Sequence, residues 1–299
     1  MKKIERFIKE KINDCKNKTI VITGANSGIG YEAMCVLAKK RANIIMACRS
    51  IERASKAREK LCKEYQKAQI EILEYDQSSK KSIKNFIINL TSKYKKIDGL
   101  ILNAGIYHPK YGLKTNDGYP LTIGTNYLGL VYLIEHLKDY LKNTKIVFVS
   151  SIVYKNPKIK NYDFLVEEKY NAMKQYALSK CAVTNYFAYL CSHSDLQLYM
   201  MHPGVSSTNI FSSNTSSYRQ WFKKLAKSVL PLFVHSPKKA SLGMSLLIAN
   251  DYGNHTFLGP RGIGQISGYP HIIKLRKNGY KYQDDLYTKT MQVLKDGDE

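Results

Sequence analysis

Tryptophan occurs once in the 299 residues, proline eight times, and acidic side chains number 24 against 47 lysines and arginines. Long apolar runs are missing as well. None approaches the roughly 20 residues that a bilayer-crossing helix needs, and residues 1–17 are basic and amphipathic without the apolar stretch of a secretion signal. The expectation is an intracellular protein, cytoplasmic or peripherally membrane-associated and not secreted. The six cysteines, Cys15, Cys35, Cys48, Cys62, Cys181 and Cys191, make no C-x-x-C pair and match no histidine spacing. Neither a zinc site nor a disulfide frame is indicated, so reduced thiols and no metal are expected. No repeat, low-complexity tract or Pro/Gly-rich linker divides the chain, and its 44% hydrophobic content suffices for one sizeable core.

The shortage of acid leaves a formal charge of +23. Phosphate-binding proteins gain affinity by releasing counterions, so such a charge raises a nucleic-acid reading. Here 39 of the 47 basic residues are lysines spread along the whole chain, with no arginine cluster and no binding motif. A solvated surface is the better account: no specific nucleic-acid partner is expected, while weak attraction to anionic membranes stays open.

What is present is alternation. Strand-like runs at Thr19–Thr23, Asn43–Cys48, Gln69–Tyr75, Asp98–Leu102, Lys145–Ser150 and Leu196–Met201, with a seventh at His255–Leu258, are separated by helix-length segments. This pattern predicts an α/β fold, a single Rossmann-type doubly wound parallel sheet of about seven strands with helices on both faces. Residues 18–270 form the expected domain, residues 1–17 a basic amphipathic extension and residues 271–299 a C-terminal tail.

Between the first strand and the first helix of that domain stand Gly24, Gly28 and Gly30. Glycine there lets the backbone turn tightly and approach a pyrophosphate, whose charge faces a helix N-terminus. After the second strand comes Arg49, where a carboxylate would serve ribose hydroxyls and repel a 2′-phosphate. A guanidinium favours that phosphate, so NADP(H) is expected over NAD(H). Proton transfer beside a nicotinamide suits a tyrosine with a lysine one helical turn away, because the ammonium favours the phenolate. Composition alone yields about three Tyr-x-x-x-Lys pairs, and three occur: Tyr154–Lys158, Tyr170–Lys174 and Tyr176–Lys180. Pro157 argues against a helix at the first of them.

Several motifs follow in order: T-G-x-x-x-G-x-G at Thr23–Gly30, Asp76, Asn103-Ala104-Gly105, Asn126, Ser150-Ser151, Tyr176-x-x-Ser179-Lys180-x-Ala182, and Pro203-Gly204. Over residues 18 to 270 they resemble the short-chain dehydrogenase/reductase family. The 25 steps from Ser151 to Tyr176, with His202 before Pro203, resemble its retinol dehydrogenase branch. This resemblance selects Tyr176 as the general acid/base over Tyr170, with Lys180 beside it. It implies that Ser151 bonds the substrate carbonyl and that Asn126 holds a water leading to Lys180. It further implies cofactor contacts from Gly24, Asn26, Ser27, Gly28, Ile29, Gly30, Arg49, Asp76, Asn103, Ala104, Gly105, Tyr176, Lys180, Pro203, Gly204 and Thr208.

The implied activity is NADP(H)-dependent interconversion of an apolar aldehyde or ketone and its alcohol. A non-catalytic NADP(H) sensor or scaffold on the same fold is the alternative, and homo-oligomer formation stays open. Finally, Tyr218, Trp221, Phe222, Leu225 and Val229 recur at helical spacing opposite a lysine-rich side. That segment reads equally as a helix capping the core or as a substrate-covering lid that touches a membrane.

Overall fold

The computed structural model describes residues 2–107, 110–166, 171–205 and 235–296. Apolar runs without polar alternation form strands covered on both faces. In β1 (Thr19–Thr23), β2 (Asn43–Cys48), β5 (Lys145–Val149) and β6 (Gln197–Met201), every residue after the first is buried. With β3 (Gln69–Glu74), β4 (Gly99–Leu102) and β7 (Phe257–Pro260), they form one parallel sheet. An eighth strand, β8 (Pro270–Ile272), joins β7 antiparallel, so the spatial order is β3-β2-β1-β4-β5-β6-β7-β8. The sequence predicts about seven strands. The eighth is three residues long, opens on proline and lies at an edge, too short for a periodic signal and defined only by its pairing.

Helices cover both faces. On one side lie α2 (Gly28–Lys39), α3 (Ile51–Glu64) and α8 (Pro237–Ala249). On the other lie α4 (Lys80–Lys93), α6 (Gly129–Leu137) and α7 (Ala172–His193). Helix α6 is entered from the single turn α5 (Leu121–Ile123) through a π-helical turn, Gly124–Leu128. Local chemistry fixes several helix starts: Ser50, Ser79, Asn171 and Ser236 each accept a hydrogen bond from the backbone N–H three residues on. Pro237 then occupies the first turn of α8.

Both chain ends depart from the expected appendages. Residues Lys2–Lys11 form α1, whose Ile8 is buried with nearby Ile12 in the core beneath α2 and α8. Burying each such side chain contributes about 2 kcal/mol, which accounts for the docking. Asn250 clamps the helix end, accepting from Asn13 N and donating to Lys11 O. The stretch read as a tail carries β8 and helix α9 (Gln283–Asp296). In α9, Leu286 and Leu294 are buried against the α4–α6–α7 side, and the Tyr287 ring stacks 3.8 Å from that of Tyr189. A helix whose apolar face finds a partner only from distant segments reads as a polar tail when taken alone.

The topology positions the site. From β1 the chain winds outward through β2 to β3, then crosses back to β4 on the other side of β1. The two windings diverge at the C-terminal ends of β1 and β4 and leave a crevice there, where doubly wound sheets bind ligands.

Candidate active site

Gly24 follows β1 with φ +68°, and Gly28 opens α2 with φ +59°, a region that side chains rarely adopt. At Gly30, a Cβ would lie 2.5 Å from Asn103 Nδ2 and 2.6 Å from Gly24 O. The loop is therefore a cradle that only glycine fits. Thr23 knits it to β4: its Oγ1 accepts from the backbone N–H of Asn103 and of Ala104, each at 2.9 Å. Asn103 Nδ2 donates in return to Thr23 O at 2.9 Å and Gly24 O at 3.3 Å. Asn103, Ala104 and Gly105 thus floor the crevice, with the Asn103 amide used to hold it together. Thr23 was legible only as a motif letter, because its pairing partner is 80 residues away.

Arg49 is exposed just beyond β2. Beyond β3, Asp76 Oδ1 accepts from Ser78 N at 2.9 Å and Ser78 Oγ at 2.6 Å, a turn that shapes the crevice rim. Gln77, which carries no sequence signal, is buried and donates to Thr125 O at 2.6 Å and Ala104 O at 3.2 Å. It joins the cradle floor to the π-helical turn.

That turn carries Asn126, which is buried. Its Oδ1 accepts from Ile106 N at 2.7 Å, and its Nδ2 donates to Ile106 O at 2.9 Å and Ser179 Oγ at 3.1 Å. A Cβ on Gly105 would lie 3.1 Å from Asn126 Oδ1 and 3.7 Å from Lys180 Nζ, so these two groups flank the same gap.

At the end of β5 the two serines separate. Ser150 Oγ pairs with Thr184 Oγ1 at 2.8 Å inside α7, whereas Ser151 is close enough to the Tyr176 phenol to lower its pKa. Helix α7 presents Tyr176 and Lys180 on one face, with Lys180 Nζ 6.0 Å from the tyrosine ring centre and donating to Val149 O at 2.9 Å. The Tyr107 ring stands edge-on to Tyr176 at 5.0 Å. Burial pushes the Tyr176 phenol up, Ser151 opposes it, and nearby Tyr107 adds to the rise. Burial also pushes Lys180 down, to about 8. Each shift disfavours an ionised form, so ammonium and phenolate stabilise one another when both are present.

Pro203 and Gly204 follow β6, and Gly204 has φ +72°. Thr208, Tyr170 and the segment bearing Tyr218, Trp221 and Phe222 lie outside the described residues. Among the described residues no helix is long and apolar enough to cross a membrane, and no cluster of metal-ligating side chains occurs.

A glycine cradle at the switch point, with serine, tyrosine and lysine gathered beside it, defines the class: a doubly wound α/β protein of the dehydrogenase type. The chain belongs to the short-chain dehydrogenase/reductase family, whose sequence profile, short chain dehydrogenase, matches residues 18–219. Its relatives place it in the retinol dehydrogenase-like branch. Mouse retinol dehydrogenase 14 is 34% identical over 209 residues, 64% of this chain and 62% of that protein. Mouse retinol dehydrogenase 12 is 30% identical over 240 residues, 78% of this chain and 74% of that protein. The chicken WW domain-containing oxidoreductase is 32% identical, covering 70% of this chain and 52% of that longer protein. The chain therefore spans between about half and three quarters of the length of these relatives. An uncharacterised protein from Mycobacterium paratuberculosis superposes with a TM-score of 0.75 at 25% identity over 96% of this chain and 97% of its own. The alcohol dehydrogenase of Thermococcus sibiricus, complexed with 5-hydroxy-NADP, shares the fold at a TM-score of 0.63 and 19% identity, covering 84% of this chain and 99% of its own.

Proposed function

We propose that this protein interconverts an apolar aldehyde or ketone and its alcohol with NADP(H), using Tyr176 as the general acid/base. The observation that carries this reading is the helical face of α7 that sets Lys180 Nζ 6.0 Å from the Tyr176 ring, with Ser151 close enough to the phenol to act on its pKa. The cradle fits a dinucleotide, because the space at Gly30 would be lost to any side chain and the start of α2 favours a pyrophosphate. When bound, the nicotinamide supplies or accepts the hydride at the substrate carbon.

The protein's own groups handle the proton. Ser151 holds the substrate oxygen, and Tyr176 gives its phenolic proton to the developing alkoxide or takes it back in the oxidation. Lys180 stabilises the resulting phenolate across the short gap, and Asn126 beside it fixes the Ile106 backbone and the Ser179 hydroxyl. Substrate apolarity is supported by the Tyr107 ring beside Tyr176 and by the half-exposed Met173 one turn before it. Arg49, exposed at the end of β2 with no carboxylate paired to it among the described residues, supports a 2′-phosphate.

A panel of long- and short-chain aldehydes and ketones, followed by NADPH absorbance, tests the reading. Turnover is expected, with a lower KM for NADPH than for NADH. Arg49→Glu should weaken NADPH far more than NADH. Tight NADPH binding without turnover on any carbonyl would instead support the non-catalytic sensor.

A further inference from the structure

Gln265 lies in the loop between β7 and β8 and is one of few non-glycine residues with positive φ, +60°. Such a conformation costs about 1 kcal/mol and persists where surroundings over-determine it, often at functional sites. The Gln265 backbone N–H closes the turn to Gly262 O at 2.9 Å, and its side chain reaches two other loops. Gln265 Oε1 accepts two hydrogen bonds, from Lys155 Nζ at 2.6 Å and from His202 Nε2 at 3.0 Å.

These donors come from the two loops that frame the candidate site. Lys155 ends the short helix Ile152–Lys155 that Ser151 opens. His202 precedes Pro203-Gly204, and its Nδ1 accepts from Gly204 N at 3.3 Å, which requires the ring proton on Nε2. The adjoining backbone repeats the link: Val205 N donates to Ile266 O at 2.8 Å, and a Cβ on Gly204 would come within 2.2 Å of that oxygen. The loop itself is rigid, closed by Arg261 N to Tyr269 O and Gly262 N to Ser267 O. It is anchored by the Tyr269 ring stacked 4.6 Å from Phe7 of α1.

We propose that Gln265 is a positioning residue that locks the Ser151 loop to the Pro203–Gly204 loop and so sets the dinucleotide site. This rests on the dinucleotide reading above. The lock needs a neutral His202, since an imidazolium carries a proton on Nδ1 and cannot accept from Gly204. Burial, with Lys155, His271 and His235 facing the ring and Arg276 facing Lys155, holds His202 down to about 4, while the Gln265 hydrogen bond acts upward.

The test uses the full chain and direct binding of NADP+ and NAD+ by calorimetry between pH 5.5 and 8, with a melting curve for each variant. Wild type should bind with nearly constant Kd over this range. Gln265→Ala should raise Kd for both dinucleotides about tenfold at pH 7.5, the loss expected of one hydrogen bond to a charged donor. Gln265→Glu keeps the acceptor and should bind as wild type at pH 7.5. Its carboxylate raises the His202 pKa, so affinity should fall progressively as the pH is lowered from 7.5 to 5.5. NAD+ is decisive there, because it lacks the 2′-phosphate that itself titrates near pH 6. Binding by Gln265→Ala within twofold of wild type, or a Gln265→Glu curve as flat as the wild-type one, would overturn the lock. Wild type binding neither dinucleotide would remove the dinucleotide reading, and the lock with it.

Discussion

At the scale of single residues, the site is a set of buried polar groups whose costs and uses can be separated. Tyr176→Phe removes the transferable proton and the Ser151 partner but keeps the ring against Tyr107. Turnover should fall by three orders of magnitude or more, about 4 kcal/mol of transition-state stabilisation, with NADPH Kd within a few fold; Tyr170→Phe should stay active. Lys180 is held at about 8 by burial, against 10.5 for a free lysine. Between those values the unfolded chain binds the extra proton, so this lysine destabilises the fold below pH 8, and the penalty is relieved as pH rises toward 10.5. Lys180→Met should therefore be inactive yet more stable by about 2 kcal/mol at pH 7, allowing for the lost bond to Val149 O. The advantage should shrink in thermal melts at pH 9.5; a uniform gain at both pH values would contradict the linkage.

At the scale of elements, the C-terminal helix α9 braces the π-helical turn that carries Asn126. Tyr127 Oη pairs with Thr290 Oγ1 at 2.8 Å, both buried. Tyr119 Oη donates to Val293 O at 3.0 Å, and Lys80 Nζ to Leu294 O at 2.7 Å, capping the helix C-terminus with a cation. Leu286→Ala should open a cavity in this contact and cost about 3 kcal/mol, read as a lowered urea midpoint. If α9 were a detachable tail, the midpoint would not move. No element is assigned here from the sequence, although Leu286, Tyr287, Met291, Val293 and Leu294 form an apolar face, because the segment lies beyond the last motif and Thr290 reads as a surface residue until its partner on another helix is known.

For the molecule as a whole, +23 charges share one compact surface. Ion pairs relieve little of this. Several among the described residues, such as Lys56–Glu52 and Lys142–Asp139, join exposed side chains, where a pair contributes at most about 1 kcal/mol. Self-repulsion should therefore be screened by salt, and the melting temperature should rise by several degrees between 20 and 300 mM NaCl at pH 7. A flat or falling dependence would show that local pairs, rather than net charge, dominate the electrostatics.

The sequence by itself determined the strand order of events: each strand through β6 starts within one residue of its apolar run, and the glycine spacing marks the single turn where side chains do not fit. It determined the family, because the motif residues and their order survive without coordinates. The resemblance singles out Ser151 from the pair, but only the tertiary structure gives each serine its surroundings, with Ser150 Oγ tied to Thr184 Oγ1 and Ser151 beside Tyr176. Tertiary packing likewise decided that both chain ends join the core, that β8 exists, and that Thr23, Gln77 and Gln265 matter. Each of these depends on a partner 27 or more residues away, and a hydrogen bond across that distance leaves no period in the chain for pattern reading to detect.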